Sequence, residues 1–192
     1  MALFVVRPGL FTTVQDRGRV GYRGFGVPVG GAFDRGSLDL ANALLGNDPT
    51  AAALEMTLIG GTYRAEGPLA IALTGAPMSA LVRASTGSDR TISIPRATSL
   101  QPGDELVIGG SPFGARTYLA VQGGWRTSLV LGSRSSETRL DPGDLLPASP
   151  GASPTRWPAA WPDVGRGVSD TIRVVDGPDA DPGEARLLDS GP

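Results

Sequence analysis

The sequence predicts a mostly β domain, a barrel or a sandwich of short strands, with one or two short helices. Three observations predict it. Short apolar runs recur between residues 54 and 147, each bounded by turn residues. Glycine and proline are abundant, 28 and 17 of 192 residues, and punctuate those runs. Only one stretch carries apolar residues at clear helical spacing: Leu38, Ala41, Leu44 and Leu45.

The elements follow in chain order. Residues 3–6 are short, apolar and stopped by Pro8-Gly9, as a strand would be. Residues 12–34 form a long glycine-rich loop in which Gln15, Asp16, Arg17, Arg19, Tyr22 and Arg23 alternate with six glycines. Glycine adds nothing to a core, so such a loop takes a tight path or brings backbone amides close to something. Asp34 is a good N-cap and Gly46-Asn47 a C-terminal stop, which bound a helix of about three turns. Asn42 falls near the same side of that helix as Asp34, two turns on. Strands are then expected at residues 54–58, 62–65, 69–74, 80–83, 91–94, 105–108, 117–121, 129–131 and 145–147. Pro102-Gly103 and Pro142-Gly143 suit the centres of type II turns. The expected domain covers residues 1–147, a Pro/Gly/Ala-rich linker covers 148–170, and 171–192 begins a truncated second half with a strand at 171–175. Trp157 and Trp161 in the linker would pin it to its own domain or contact a partner.

Composition limits the chemistry. There is no cysteine, histidine or lysine, and all 17 basic residues are arginine. Disulfides, thiolate or imidazole metal sites, His-dependent triads and Schiff-base lysines are therefore excluded within this chain, and no metal site is expected. The formal net charge is −2 and the arginines are scattered, which argues against a nucleic-acid surface. No apolar run reaches membrane-spanning length, so a cytoplasmic protein without a membrane contact is expected.

Several residues carry possible chemistry. Gln15, Asp16 and Arg19 place an amide, a carboxylate and a guanidinium within five residues, a set that holds a planar urea-like or carboxylate group. The same set serves equally to tie loop backbone. Tyr22 is a phenol donor or a core aromatic. Glu55 alternates with Leu54 and Met56, which puts it on the opposite face, solvated or buried. Thr74-Gly75-Ala76 ends an apolar strand with amides that could form an anion nest. Ser133-Arg134-Ser135 reads as an oxyanion or carboxylate clamp. Nucleotide-binding signatures are absent: Gly24, Gly26 and Gly30 miss the dinucleotide spacing, and no lysine follows a glycine loop.

Taken in order, several segments resemble a family known as biotin-dependent carboxyltransferase, allophanate hydrolase subunit 2, KipA or the C-subunit of 5-oxoprolinase. They are Thr12-Thr13-Val14-Gln15-Asp16-Arg17-Gly18-Arg19-Val20-Gly21-Tyr22, Gly30-Gly31-Ala32-Phe33-Asp34, Ala41-Asn42-Ala43-Leu44-Leu45-Gly46-Asn47, Ala53-Leu54-Glu55, Ala72-Leu73-Thr74-Gly75-Ala76, Tyr118-Leu119-Ala120-Val121-Gln122-Gly123-Gly124 and Leu131-Gly132-Ser133-Arg134-Ser135. Where relatives carry a longer glycine-rich segment, only residues 137–140 stand here. The resemblance implies a cyclophilin-like closed β-barrel and a component of an ATP-dependent 5-oxoprolinase or a biotin-dependent carboxyltransferase, acting on 5-oxoproline, urea or allophanate. ATP would be used by the assembly and carboxybiotin carried by a partner, with neither bound by this chain alone. The implied partners are a KipI-like subunit and a third 5-oxoprolinase subunit, and a fragment without them is expected to be inactive. Asp16, Arg19 and Glu55 are the expected catalytic residues. Gln15, Tyr22, Asp34, Asn42, Thr74, Ser133 and Arg134 are expected to bind substrate. The alternative is a non-catalytic KipA-like module that antagonises a KipI-like inhibitor of a sensor kinase.

Overall fold

The computed structural model describes residues 1–148. The linker and second half expected beyond Ala148, with Trp157, Trp161 and the strand at 171–175, lie outside the described residues. Eleven strands and one α-helix follow in order: β1 (Ala2–Arg7), β2 (Phe11–Gln15), α1 (Arg35–Leu45), β3 (Ala53–Thr57), β4 (Thr62–Ala65), β5 (Leu69–Gly75), β6 (Ala80–Arg83), β7 (Arg90–Ile92), β8 (Arg96–Leu100), β9 (Glu105–Ile108), β10 (Arg116–Val121) and β11 (Leu145–Pro147). A 3-10 turn at Arg23–Phe25 interrupts the glycine-rich loop. The fold is mostly β, as expected.

All strand pairs are antiparallel. They make a six-stranded sheet in the order β11-β1-β4-β9-β6-β7 and a five-stranded sheet in the order β2-β3-β10-β5-β8. Every strand of both sheets contributes to one core, from Leu3 and Val5 in β1 to Leu146 in β11. Each buried leucine or isoleucine there contributes roughly 1.5–3 kcal/mol of transfer free energy. Trp125 closes one end, fully buried, with its indole N–H donating to Leu119 O at 3.1 Å.

Strict alternation explains where α1 sits. In β5, Leu69, Ile71 and Leu73 point into the core, while Ala70 and Ala72 point to the other face. Ala53 and Ala120 do the same on β3 and β10. These methyl groups leave room for Leu38, Ala41, Leu44 and Leu45 of the helix. The helix begins and ends where the caps predicted. Asp34 accepts from Ser37 N at 3.0 Å, and Gly46 adopts a left-handed φ of 64°. No helix among the described residues is long and apolar enough to cross a membrane.

Three elements differ from the sequence reading. Residues 129–131 form no strand; Leu131 has a φ of 52°, and Val130 makes only an isolated bridge to Ser133. β2 takes in the first residues of the stretch expected to be loop, Thr12 to Gln15, because Thr12 and Thr13 are buried on opposite faces and mask the apolar alternation. β8 is a polar edge strand with only Leu100 fully buried, so it carries no apolar signal.

Candidate functional site

Asp16 leaves the end of β2 and is buried. Its Oδ1 accepts from Gly18 N at 2.8 Å, Ser133 Oγ at 2.6 Å and Ser135 Oγ at 2.6 Å; its Oδ2 accepts from Arg134 N at 2.6 Å. Asp16 N donates back to Ser135 Oγ at 2.9 Å. Burial alone would raise the carboxyl pKa. The donors from Ser133, Ser135, Arg134 and Gly18 outweigh it and hold the group below the usual carboxylate range. Asp16 is thus an ionised tie between two loops, with three donors on Oδ1 and one on Oδ2.

The path of the loop demands glycine at two places. A Cβ on Gly18 would lie 2.4 Å from Val29 O, and one on Gly31 would lie 2.8 Å from Arg17 C. Both residues have positive φ, 84° and 91°. The two limbs therefore touch backbone to backbone, joined by Arg19 N to Val29 O at 2.7 Å and Ala32 N to Asp16 O at 2.8 Å.

Gln15, Asp16 and Arg19 do come together, but on the segment of residues 130–136. Gln15 Nε2 donates to Thr13 Oγ1 and to Ser136 O, both at 2.9 Å. Arg19 donates to Val130 O at 3.1 Å and to Ser135 O. Two clefts flank this junction. The first, about 350 Å³, is lined by Asp16, Gly18, Asp48, Gly124, Trp125 and Arg134, among others. The second, about 590 Å³, is lined by Arg19, Arg134, Pro28, Leu140 and Leu146, among others. Arg134 lines both, and its guanidinium donates to Thr127 O. Gln15 lines neither.

Glu55 belongs to a different cluster, on the face that carries α1. Its side chain is only 12% exposed, so the solvated alternative does not hold. Its Oε2 accepts from Tyr118 Oη at 2.6 Å and Phe33 N at 2.8 Å, and Arg116 Nε lies 3.3 Å from Oε1. Tyr118 Oη in turn accepts from Asp34 N at 2.7 Å. Burial first, then the bond to Glu55, push the Tyr118 phenol far above its ordinary pKa, so it stays a neutral donor. Thr74 donates to Ser37 O at 2.6 Å, fastening the first turn of the helix to β5.

The other expected binding residues are structural in their contacts. Asn42 is 1% exposed, donates to Ala51 O at 2.8 Å and accepts from Asn47 Nδ2 at 3.1 Å. Asn47 also accepts from Gly123 N at 2.7 Å, so the end of α1 is tied to two stretches that line the first cleft. Asp34 caps the helix, Ser133 serves Asp16, and Tyr22 lines neither cleft. Two residues, Tyr118 and Asp48, escape the sequence reading. Tyr118 is signalled by its register directly opposite Glu55 once β3 and β10 are paired. Ser135, read with Ser133 and Arg134 as a clamp, instead bonds Asp16. Asp48 follows the helix stop with no local signal. Among the described residues no three His, Cys, Asp or Glu side chains gather into a metal site.

Comparison with known proteins places these segments. Residues 25–187 match the family model "Carboxyltransferase domain, subdomain A and B". The chain is 40% identical over 136 residues to urea amidolyase of Lachancea kluyveri, covering 70% of this chain and 7% of that protein. It is 38% identical over 143 residues to the C-subunit of 5-oxoprolinase from Escherichia coli K12, covering 74% of this chain and 44% of that one. The crystal structure of TTHA0988 superposes with a TM-score of 0.81 at 31% identity, over 99% of this chain and 39% of that one. The chain thus spans less than half the length of each of these proteins.

Proposed function

Because the chain belongs to the carboxyltransferase-domain family, subdomains A and B, we propose that it is a component of a 5-oxoprolinase-type or biotin-dependent carboxyltransferase-type system that acts on a small planar amide. The names of its relatives, the 5-oxoprolinase C-subunit and urea amidolyase, support this reading. The reading also carries a cyclophilin-like closed barrel, supported by the one core that both sheets share.

The observation that carries it is the first cleft. A planar N–C=O guest needs donors for its oxygen and an acceptor for its N–H. Arg134 is a donor on this wall beside Arg17 and Arg126, and it alone is presented by the Ser133–Asp16–Ser135 tie. Asp48 is the acceptor. Hydrogen bonds from the Thr50 hydroxyl and amide hold Asp48 below the usual carboxylate range, and they engage Oδ1, leaving Oδ2 for the guest. In this scheme Asp16 positions Arg134, Arg19 belongs to the second cleft, and Glu55 holds the loop arm that ends at Phe33. Carboxybiotin presented by a partner would supply a flat carboxylated urea, which this donor set fits. ATP falls to other members of the assembly, since this chain has no lysine for a phosphate loop.

The test is reconstitution of the full-length protein with a KipI-like subunit and the third subunit. ATP-dependent opening of 5-oxoproline and carboxylation of urea are assayed in parallel. Arg134→Gln is expected to lower kcat about 100-fold, the cost of losing one oxyanion donor. Unchanged turnover would remove the first cleft from the chemistry.

A second reading is favoured by a specific observation. Val20, Phe25 and Phe33 on the glycine-rich loop are 77%, 82% and 79% exposed. Large apolar side chains held in water suit a partner surface, as in a KipA-like module that binds a KipI-like inhibitor. Pull-down of that partner without ATP or substrate separates the readings. Phe25→Ser should abolish capture if the loop is the interface.

A further inference from the structure

We propose that the second cleft is a binding site in its own right for an organic carboxylate, held by Arg19 and Arg134. Both guanidiniums are anchored through main-chain carbonyls. Arg19 reaches Val130 O and Ser135 O, and Arg134 reaches Thr127 O. Neither forms an ion pair with a carboxylate among the described residues, whereas Arg17, Arg64, Arg83, Arg90 and Arg116 each do. Arg19, Arg134 and Arg139 outnumber Glu137 and Asp144 in the lining, so the cleft keeps an excess of positive charge that a bound anion would neutralise. Beside them, the Thr127 hydroxyl is buried with no hydrogen-bond partner among the described residues, and Thr127 lines the same cleft.

The rest of the lining sets the class of anion. Val14, Leu140 and Leu146 give an apolar floor, which favours a ligand with a hydrocarbon body over a bare inorganic ion. Arg139 adds positive charge, while Glu137 and Asp144 add negative charge. The balance favours a monoanion, because a dianion would meet those two carboxylates. A carboxylate also matches the planar fork of each guanidinium.

Arg134 lines both clefts, so Arg19, which lines the second and not the first, is the residue that tells a ligand in the second cleft from one in the first. The test uses the full chain labelled with ¹⁵N, titrated at constant ionic strength with hexanoate, hexanamide or inorganic phosphate. Side-chain Nε–H signals of Arg19 and Arg134 are followed. Hexanoate should shift both, while hexanamide and phosphate at the same concentration should shift neither. Arg19→Lys, which keeps the charge but loses the fork, and Arg134→Gln should each weaken hexanoate binding about tenfold or more. The proposal is overturned if hexanoate moves neither signal, if hexanamide or phosphate acts as well as hexanoate, or if both variants bind hexanoate like the parent. The three-ligand comparison needs no variant, so loss of fold in a mutant leaves the question decided.

Discussion

Asp16, just past the end of β2, and Glu55, in the middle of β3, are both largely withdrawn from water and both hold backbone amides, yet they do different work. Asp16 ties its own loop to a segment 117–119 residues later and sets the wall between two clefts. Glu55 ties the far limb of the same loop to β3 and β10, away from either cleft. The difference teaches that a carboxylate in a glycine-rich setting is first a fastener of backbone, and that what it fastens decides its relevance to chemistry.

The largest effect expected is from Asp16→Asn. The amide replaces one acceptor oxygen with a donor and leaves the Ser133–Ser135 turn short of partners. Stability at pH 7 should fall by about 2–4 kcal/mol in urea unfolding. The pH dependence adds a sign. The folded pKa of Asp16 lies below the ordinary 3.8, so its contribution is present above that value and is lost as pH falls through the depressed one. The gap between parent and variant should therefore narrow toward acid. A constant gap from pH 7 to pH 2 would contradict the assignment.

Gly31→Ala should come next and should strike both ties together. A Cβ there meets Arg17 backbone, and the chain beyond it carries the Phe33 amide that Glu55 binds. A loss of about 1–3 kcal/mol is expected, with hydrogen exchange rising at the amides of both Arg134 and Phe33. Exchange rising at one alone would show the two ties to be independent. Glu55→Gln should cost about 1–2 kcal/mol, since an amide oxygen still accepts. It should leave the ligand behaviour of both clefts unchanged, in contrast to Asp16→Asn. Arg17→Ala, which breaks an exposed pair with Asp39, should change stability by at most about 0.5 kcal/mol.

Much of the fold was legible because alternation and caps are local. Asp34, Gly46 and the alternating residues of β3 and β5 carry their own positions in the sequence. The face occupied by Glu55 could likewise be read from Leu54 and Met56. What could not be read was long-range. Nothing near Gln15, Asp16 and Arg19 says that their partners lie at residues 130–136, and the choice between gripping a guest and gripping backbone rests on that distance. The missing strand at 129–131 has the same origin. Leu129, Val130 and Leu131 look like a strand, but the turn back to Ser133 is imposed by Asp16 and Arg19.

The alanines under α1 act as a shim of fixed thickness. Since the far end of the helix is bonded through Asn42 and Asn47 to Ala51 and Gly123, the height of the helix over the sheet also gauges the width of the smaller cavity. A single added methyl at Ala72 or Ala120 would jack up that end and alter the aperture. If the proposed guest sits in that cavity, its fit is then set from beneath the helix by residues that do not line the cavity.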